Sequence, residues 1–152
     1  MGKADIVFDQ AELSRPAPAM TYEQMLDAVR YEGAYPDTGR AADAIQHVLA
    51  ALGRRLTGDE RVDLAARLPT EAALVLTGQV PSFDTLTGWG FVKDLATRTG
   101  SSPATARWDT GAVLSVVARL AGPDLLARIL NSLPGGYALL FGQAELTAAR
   151  SA

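Results

Sequence analysis

The chain has no cysteine, a single histidine, two lysines and no long apolar run. Each absence excludes something. Without cysteine there is no disulfide, no thiolate nucleophile and no cysteine-based metal site. One histidine cannot supply the partners that a metal site or a nucleophilic triad needs, and neither HExxH nor DxDxDG spacing occurs. No apolar stretch approaches the roughly 20 residues that cross a bilayer. In the opening segment MGKADIVFDQAEL, Ile6-Val7-Phe8 runs straight into Asp9, so the apolar core of a signal peptide is missing. The expectation is a cytoplasmic protein without a membrane partner. Phosphate-cradling loops of the GxGxxG or Walker kind are also absent. A formal net charge of −3 gives no electrostatic reason to expect a nucleic acid.

What is present describes a globular domain. The 152 residues are 48% apolar and 20% charged, enough to bury a core and too apolar for disorder. Arginine outnumbers lysine twelve to two in an alanine-rich chain, a composition that hints at a bacterial genome of high GC content. Residues 21–77 carry six arginines against nine acids, and residues 83–142 carry five basic residues against four acids. That difference is too weak to steer a ligand.

Residues 1–20 read as an N-terminal arm, since Pro16 and Pro18 push the residues before them toward extended geometry. Thr21 with Gln24 forms a capping-box pattern, and Tyr22, Met25, Leu26 and Val29 follow at helical spacing. Gly33 and Pro36 end that helix, and Asp37 or Thr38 can cap the next. From Arg40 onward, Ala41, Ala44, Ile45, Val48, Leu49, Leu52 and Leu56 make one apolar stripe, the mark of a helix buried along a single face. Thr57-Gly58-Asp59-Glu60 has the pattern of a second capping box, with Val62, Leu64, Ala65 and Leu68 on a short helix behind it. Pro69 opens a further helix that ends in Leu74-Val75-Leu76. Gly78-Gln79-Val80-Pro81-Ser82 is the clearest boundary, after which Trp89, Val92, Leu95 and Ala96 form a new stripe. Ser102-Pro103 is a cap followed by proline at the first helical position. Ala106, Val113, Leu114, Val117 and Leu120 repeat the long stripe. Pro123 opens a short helix with Leu126, Ile129 and Leu130, and Leu139-Leu140-Phe141 end the pattern.

Shifting the second half back by about 65 positions sets Val48-Leu49 on Val113-Leu114 and Leu68-Pro69 on Leu133-Pro134. It also sets Leu74-Val75-Leu76 on Leu139-Leu140-Phe141. The expected fold is therefore all-α, a compact helical bundle of two tandem copies of a roughly four-helix, pseudo-twofold unit. Copy one covers 21–77, a linker 78–83 and copy two 84–142, with a tail over 143–152. Helices this short are not stable alone, so the copies must bury their apolar faces together.

The segments MTYEQMLDAV, ALGRRLTGDERVDLAARLP, FVKDLATRTG and LPGGYALLF resemble the bacterial domain-of-unknown-function family 2267, over residues 20 to about 141. The second copy departs from the central pattern, with Gly122-Pro123-Asp124 in place of the Thr-Gly-Asp-Glu turn. The resemblance implies a duplicated all-helical fold. It brings no established activity and no catalytic residue.

No catalytic, cofactor-binding or metal-ligating set is expected. His47 lies about 140° around its helix from the apolar stripe, the place of a surface histidine. Asp59, Glu60 and Asp63 fall in the first turn of a helix, where the dipole favours negative charge. Arg54, Arg55, Arg61 and Arg67 invite comparison with an anion site, yet arginines at a helix C-terminus, as Arg54 and Arg55 are, have terminal carbonyls to satisfy. Two aromatics are weighed against each other. Trp89 lies on an apolar stripe and reads as core. Trp108 falls nearly opposite the Val113–Val117 stripe, so another part of the chain covers it, with Ile6-Val7-Phe8 the obvious cover, or a partner does. Tyr35, beside Pro36, is a lesser candidate for the same contact. The functional expectation is a non-enzymatic module binding another protein or itself through a face with Trp108. The alternative is a carrier of a small apolar ligand in a cavity between helices.

Overall fold

The computed structural model describes residues 18–143, and its described residues form seven helices with no strand among them. They are α1 (Tyr22–Gly33), α2 (Thr38–Gly53), α3 (Gly58–Arg67), α4 (Thr70–Thr77), α5 (Gly88–Thr99), α6 (Pro103–Ser132) and α7 (Tyr137–Leu140). The protein is all-α.

Local chemistry sets most of the boundaries. Thr21 accepts from the Gln24 amide at 3.1 Å while the Gln24 side chain accepts from the Thr21 amide at 2.9 Å, a complete capping box at the start of α1. Asp37 caps α2 through the Arg40 amide, Thr87 caps α5 through that of Gly90, and Ser102 caps α6 ahead of Pro103. The expected box at Thr57 does not form: its side chain caps nothing. Gly58 takes φ +64°, so the backbone turns away before the hydroxyl can reach the next amides, and Glu60 is drawn to Arg128 instead.

The α2 stripe from Ala41 to Leu56 is buried at every position. It packs against α1, α4, α5 and α6. The longest helix, α6, is the hub, touching α1, α2, α3, α5 and α7. Its hydrogen-bonded course is broken at Gly122 (φ +82°, ψ 164°), a conformation L side chains rarely adopt. Pro123 follows without an amide proton to donate. The carbonyl of Ala121, left open by the break, accepts a hydrogen bond from the Arg67 guanidinium of α3. A second arginine of α3 fastens two other helix ends. Arg61 donates to the carbonyls of Gly53 and Leu56 behind α2 and to those of Thr77 and Gln79 behind α4. The carbonyl-satisfying role expected for Arg54 and Arg55 thus belongs to Arg61. Arg54 donates to the Gln79 side chain, and Arg55 to the carbonyl and carboxylate of Asp84.

Trp89 is not core, as its stripe implied: it is 58% exposed. The first turn of α5 instead buries Gly88, whose backbone meets Gly136 so closely that a Cβ would stand 2.4 Å from the Gly136 carbonyl oxygen. Phe91 takes the buried place and meets Tyr137 edge to face, with ring centroids 5.7 Å apart. The Tyr137 hydroxyl donates to the Leu86 carbonyl, and burial pushes its pKa up to about 12, with the Arg55 charge opposing. Val62 and Leu74, read as apolar faces of α3 and α4, are also mostly exposed.

Candidate functional site

The sequence places a glycine, an aromatic and a proline in the turn Gly33-Ala34-Tyr35-Pro36 between α1 and α2. The reason for each differs from the expected one. Gly33 is the last helical residue, and the left-handed cap is Ala34 at φ +52°. The cap amide donates back to Arg30 and Tyr31, and the Tyr35 amide to Arg30, which closes the helix. Gly33 serves a different end: a Cβ there would stand 2.2 Å from the Tyr35 ring. The ring lies folded back over the helix end it has just left.

That packing corrects the expectation for Tyr35. It is buried, 8% exposed, and its hydroxyl donates to Asp109 Oδ1 at 2.6 Å. In this conformation it offers nothing to a partner. The side chain that the loop hides is a structural anchor on α6, 74 residues away in sequence. Arg40, in the first turn of α2, reaches the same carboxylate from its Nη2, at 3.1 Å to Oδ1 and 3.0 Å to Oδ2. Its guanidinium carbon also lies 4.8 Å from the centroid of the Tyr35 ring, a cation–π contact. Two side chains, one from the turn and one from α2, thus converge on one buried acid of α6.

The electrostatics hold this cluster in one protonation state. Burial raises the Tyr35 pKa well above its ordinary value, and the hydrogen bond to the Asp109 carboxylate raises it further. Burial alone would lower the Arg40 pKa, but the hydrogen bond to Asp109 and that acid's charge carry it above the usual arginine value. The phenol therefore keeps its proton and the guanidinium its charge. Such an arrangement fastens the α1–α2 turn to α6, and it is not poised to pass a proton near neutral pH.

Trp108 stands next to Asp109 in the chain and completes the fastening. Its indole Nε1 donates to the Gly33 carbonyl at 2.8 Å, satisfying a carbonyl at the end of α1. The residue as a whole stays 58% exposed. The outward position read from helical spacing is the one observed. The expected cover, Ile6-Val7-Phe8, lies outside the described residues. Beyond this turn, Arg119 of α6 pairs with Glu32 of α1 at 2.8 Å.

Sequence reasoning missed Asp109 and Arg40. A signal for Asp109 was available, since it lies four residues before Val113 and so on the buried stripe of α6. An acid on a buried stripe needs a cation or donors from elsewhere. His47 is exposed. Among the described residues no group of three or more histidine, cysteine, aspartate or glutamate side chains is placed to hold a metal ion, and no helix is long and apolar enough to cross a membrane. Separately, an open groove of about 450 Å³ lies where the N-terminal ends of α1 and α4 meet, with Met20, Tyr22, Pro69 and Glu71 on its walls.

The Ala34 cap makes a checkable point about this turn. An L residue in the left-handed region is strained by about 1–2 kcal/mol, whereas glycine is not but loses more chain entropy on folding. Ala34 is exposed, so nothing else is lost with its methyl. Ala34→Gly is expected to raise stability by about 0.5–1 kcal/mol, read as a higher midpoint in thermal denaturation.

A search of curated proteins finds no match to the chain. One family model does match, that described as "Uncharacterized conserved protein (DUF2267)", over residues 22–140. The match starts at the first residue of α1 and ends at the last of α7, so it takes in every helix described and both sides of the Asp109 cluster. The chain belongs to the DUF2267 family.

Proposed function

We propose that the protein is a non-enzymatic helical module that binds another protein, or a second copy of itself, through a face that includes Trp108. One observation carries the reading: a large aromatic ring is mostly exposed while its only polar atom is already bonded to the protein. The N–H bond to Gly33 fixes the indole, and the Tyr35–Asp109–Arg40 cluster beside it fixes the turn that holds Gly33. A ring held this way presents apolar area with little side-chain entropy left to lose, which is why tryptophan is favoured at binding hot spots.

The supporting readings are coarser. The 65-residue correspondence favours a duplication of one helical unit, and in it Asp109 falls on Ala44, so the polar cluster belongs to one copy alone. The composition favours a bacterial, cytoplasmic setting. The alternative of an apolar-ligand carrier has the groove between α1 and α4 as its candidate, but that groove is open to solvent and carries Glu71.

Native mass spectrometry of the parent, Trp108→Ala and Trp108→Phe, followed by capture from a lysate, tests the module. Alanine is expected to weaken the oligomer or the captured complex at least about 30-fold, as loss of a hot-spot aromatic does. Phenylalanine loses the bond to Gly33 but keeps a ring, so it retains most of the binding. Binding that is unchanged in the alanine variant overturns the reading. An extra mass that survives gentle ionisation and is lost on denaturation moves the balance to the carrier.

A further inference from the structure

We propose that two copies of this chain pair about a twofold axis through the end of the bundle where the α4–α5 loop, the first turn of α5 and α7 meet. The inference goes beyond the reading of Trp108 and does not rest on it. It places a second copy on a different surface and leaves the Trp108 face to another protein. Four of the eight large apolar residues exposed among the described ones belong to this end, namely Val80, Phe83, Trp89 and Leu139.

Bonds hold these segments together. The Gly88 amide donates to the Gly135 carbonyl at 2.9 Å, which sets Trp89 beside the start of α7. The Tyr137 hydroxyl fastens α7 to the Leu86 carbonyl at 2.9 Å. Phe83 is fully exposed and fixed on both sides. The Ser82 amide donates to the Arg54 carbonyl at 2.9 Å, and the Asp84 carbonyl accepts from Arg55 at 3.0 Å. Apolar area held this way gives up little chain entropy on binding. Two observations favour a second copy as the occupant. The first is area. An aromatic residue presents about 150–250 Å², so Phe83 and Trp89 expose about 350 Å² between them. Val80 and Leu139 add about 100 Å² on the transfer scale for aliphatic side chains. Monomers rarely expose so much apolar surface in one region. A standard interface buries about 800 Å² per partner, of which about 450–520 Å² is apolar. This end supplies the apolar part of one such interface. The second is charge. In a twofold contact the same surface meets itself, so it needs both signs to avoid repulsion. Lys93, whose ammonium lies 6.0 Å from the Trp89 ring centroid, has no ion pair among the described residues. Asp84 supplies the opposite sign, its side chain still 65% exposed beside its bond to Arg55.

Sedimentation of the full chain tests the pairing. A dimer is expected at about 10 μM, since interfaces of this size hold from μM to pM. Phe83→Ser is expected to raise the dissociation constant at least about 30-fold, as loss of a hot-spot aromatic does. Leu139→Asp, on another element, sets an unpaired charge in the contact and weakens it too. Both residues are exposed, so each variant keeps its helix content. Trp108→Ala stays dimeric. A second measurement places the axis. The 12 residues of α5 span about 18 Å from Trp89 to the start of α6, so the two surfaces lie toward its opposite ends. With no native cysteine, Thr85→Cys and Arg107→Cys each take one nitroxide, and the distance between the labels of the two copies is shorter from Thr85. A monomer at about 100 μM overturns the proposal. So does an assembly larger than a dimer, a dimer that Phe83→Ser and Leu139→Asp leave intact, one that Trp108→Ala dissociates, or a shorter distance from Arg107. Capture of another protein by the Trp108→Ala variant is read separately, so either reading can fail while the other stands.

Discussion

Arg61→Met lowers the melting temperature by about 6–12 °C. The side chain keeps its length and apolar stem but loses the donors that reach Gly53, Leu56, Thr77 and Gln79. Hydrogen bonds to a charged donor contribute about 1.5–3 kcal/mol each where they are buried. Gly53 is buried, whereas Thr77 is exposed and its carbonyl can turn to water. The sum of four is therefore too large, and a loss of about 3 kcal/mol is expected. At about 2–4 °C per kcal/mol for a chain of this size, that gives the stated range. Arg128 supplies the comparison. It pairs with Asp63 at 2.8 Å and Glu60 at 3.4 Å on the same helix, but its side chain is 45% exposed. Arg128→Met is expected to shift the melting temperature far less than Arg61→Met does, because solvent already screens the pairing. Thermal and urea denaturation of the two variants check the contrast. Equal losses would mean that the charge of α3's surroundings matters and the helix ends do not.

Asp109→Ala is the second large effect, a loss of about 2–3 kcal/mol. The substitution leaves the buried Tyr35 hydroxyl without its acceptor, at about 1–3 kcal/mol. Arg40 suffers less, since its side chain is 35% exposed and can turn outward to water. That is why the expected cost falls below the 3–5 kcal/mol of a fully buried broken pair. A double-mutant cycle with Tyr35→Phe separates the contributions. Once Asp109 is gone, removing the hydroxyl relieves an unsatisfied donor, so the pair of changes costs less than the sum of the two. Strict additivity would show that the 2.6 Å contact does not hold the turn. Asp109→Ala changing stability by under 0.5 kcal/mol would do the same.

The residues behind these two effects are those that sequence reading placed least well, and the reason is common to both. Helical periodicity reports one face of one helix. It identified the whole stripe from Ala41 to Leu56, the outward direction of Trp108, and the caps at Thr21 and Ser102, all of which depend on neighbours within about four positions. Tyr35 lies in a turn, where there is no period to read, and its partner is on α6. Arg61 reads as one charge among several on α3, and nothing nearby in sequence tells which carbonyls it will meet. Trp89 fails differently. It satisfies the spacing of its stripe, but it stands in the first turn of α5, where the close approach of Gly88 and Gly136 sets the packing. The family resemblance carried the fold and left the site blank, because the cluster depends on contacts across the chain.

The bonds that tie the α1–α2 turn to α6 have a consequence for how the protein is made. Glu32, Gly33 and Tyr35 meet partners 87, 75 and 74 residues later in the chain. A ribosome adds about 5–20 residues per second, so roughly 4–15 s pass between synthesis of the turn and synthesis of its anchor. During that interval Met25 and Val29, fully buried in the finished protein, have no α6 to pack against. The first four helices then wait as a partly formed surface near the exit tunnel, and the fold closes only when the Asp109 segment emerges.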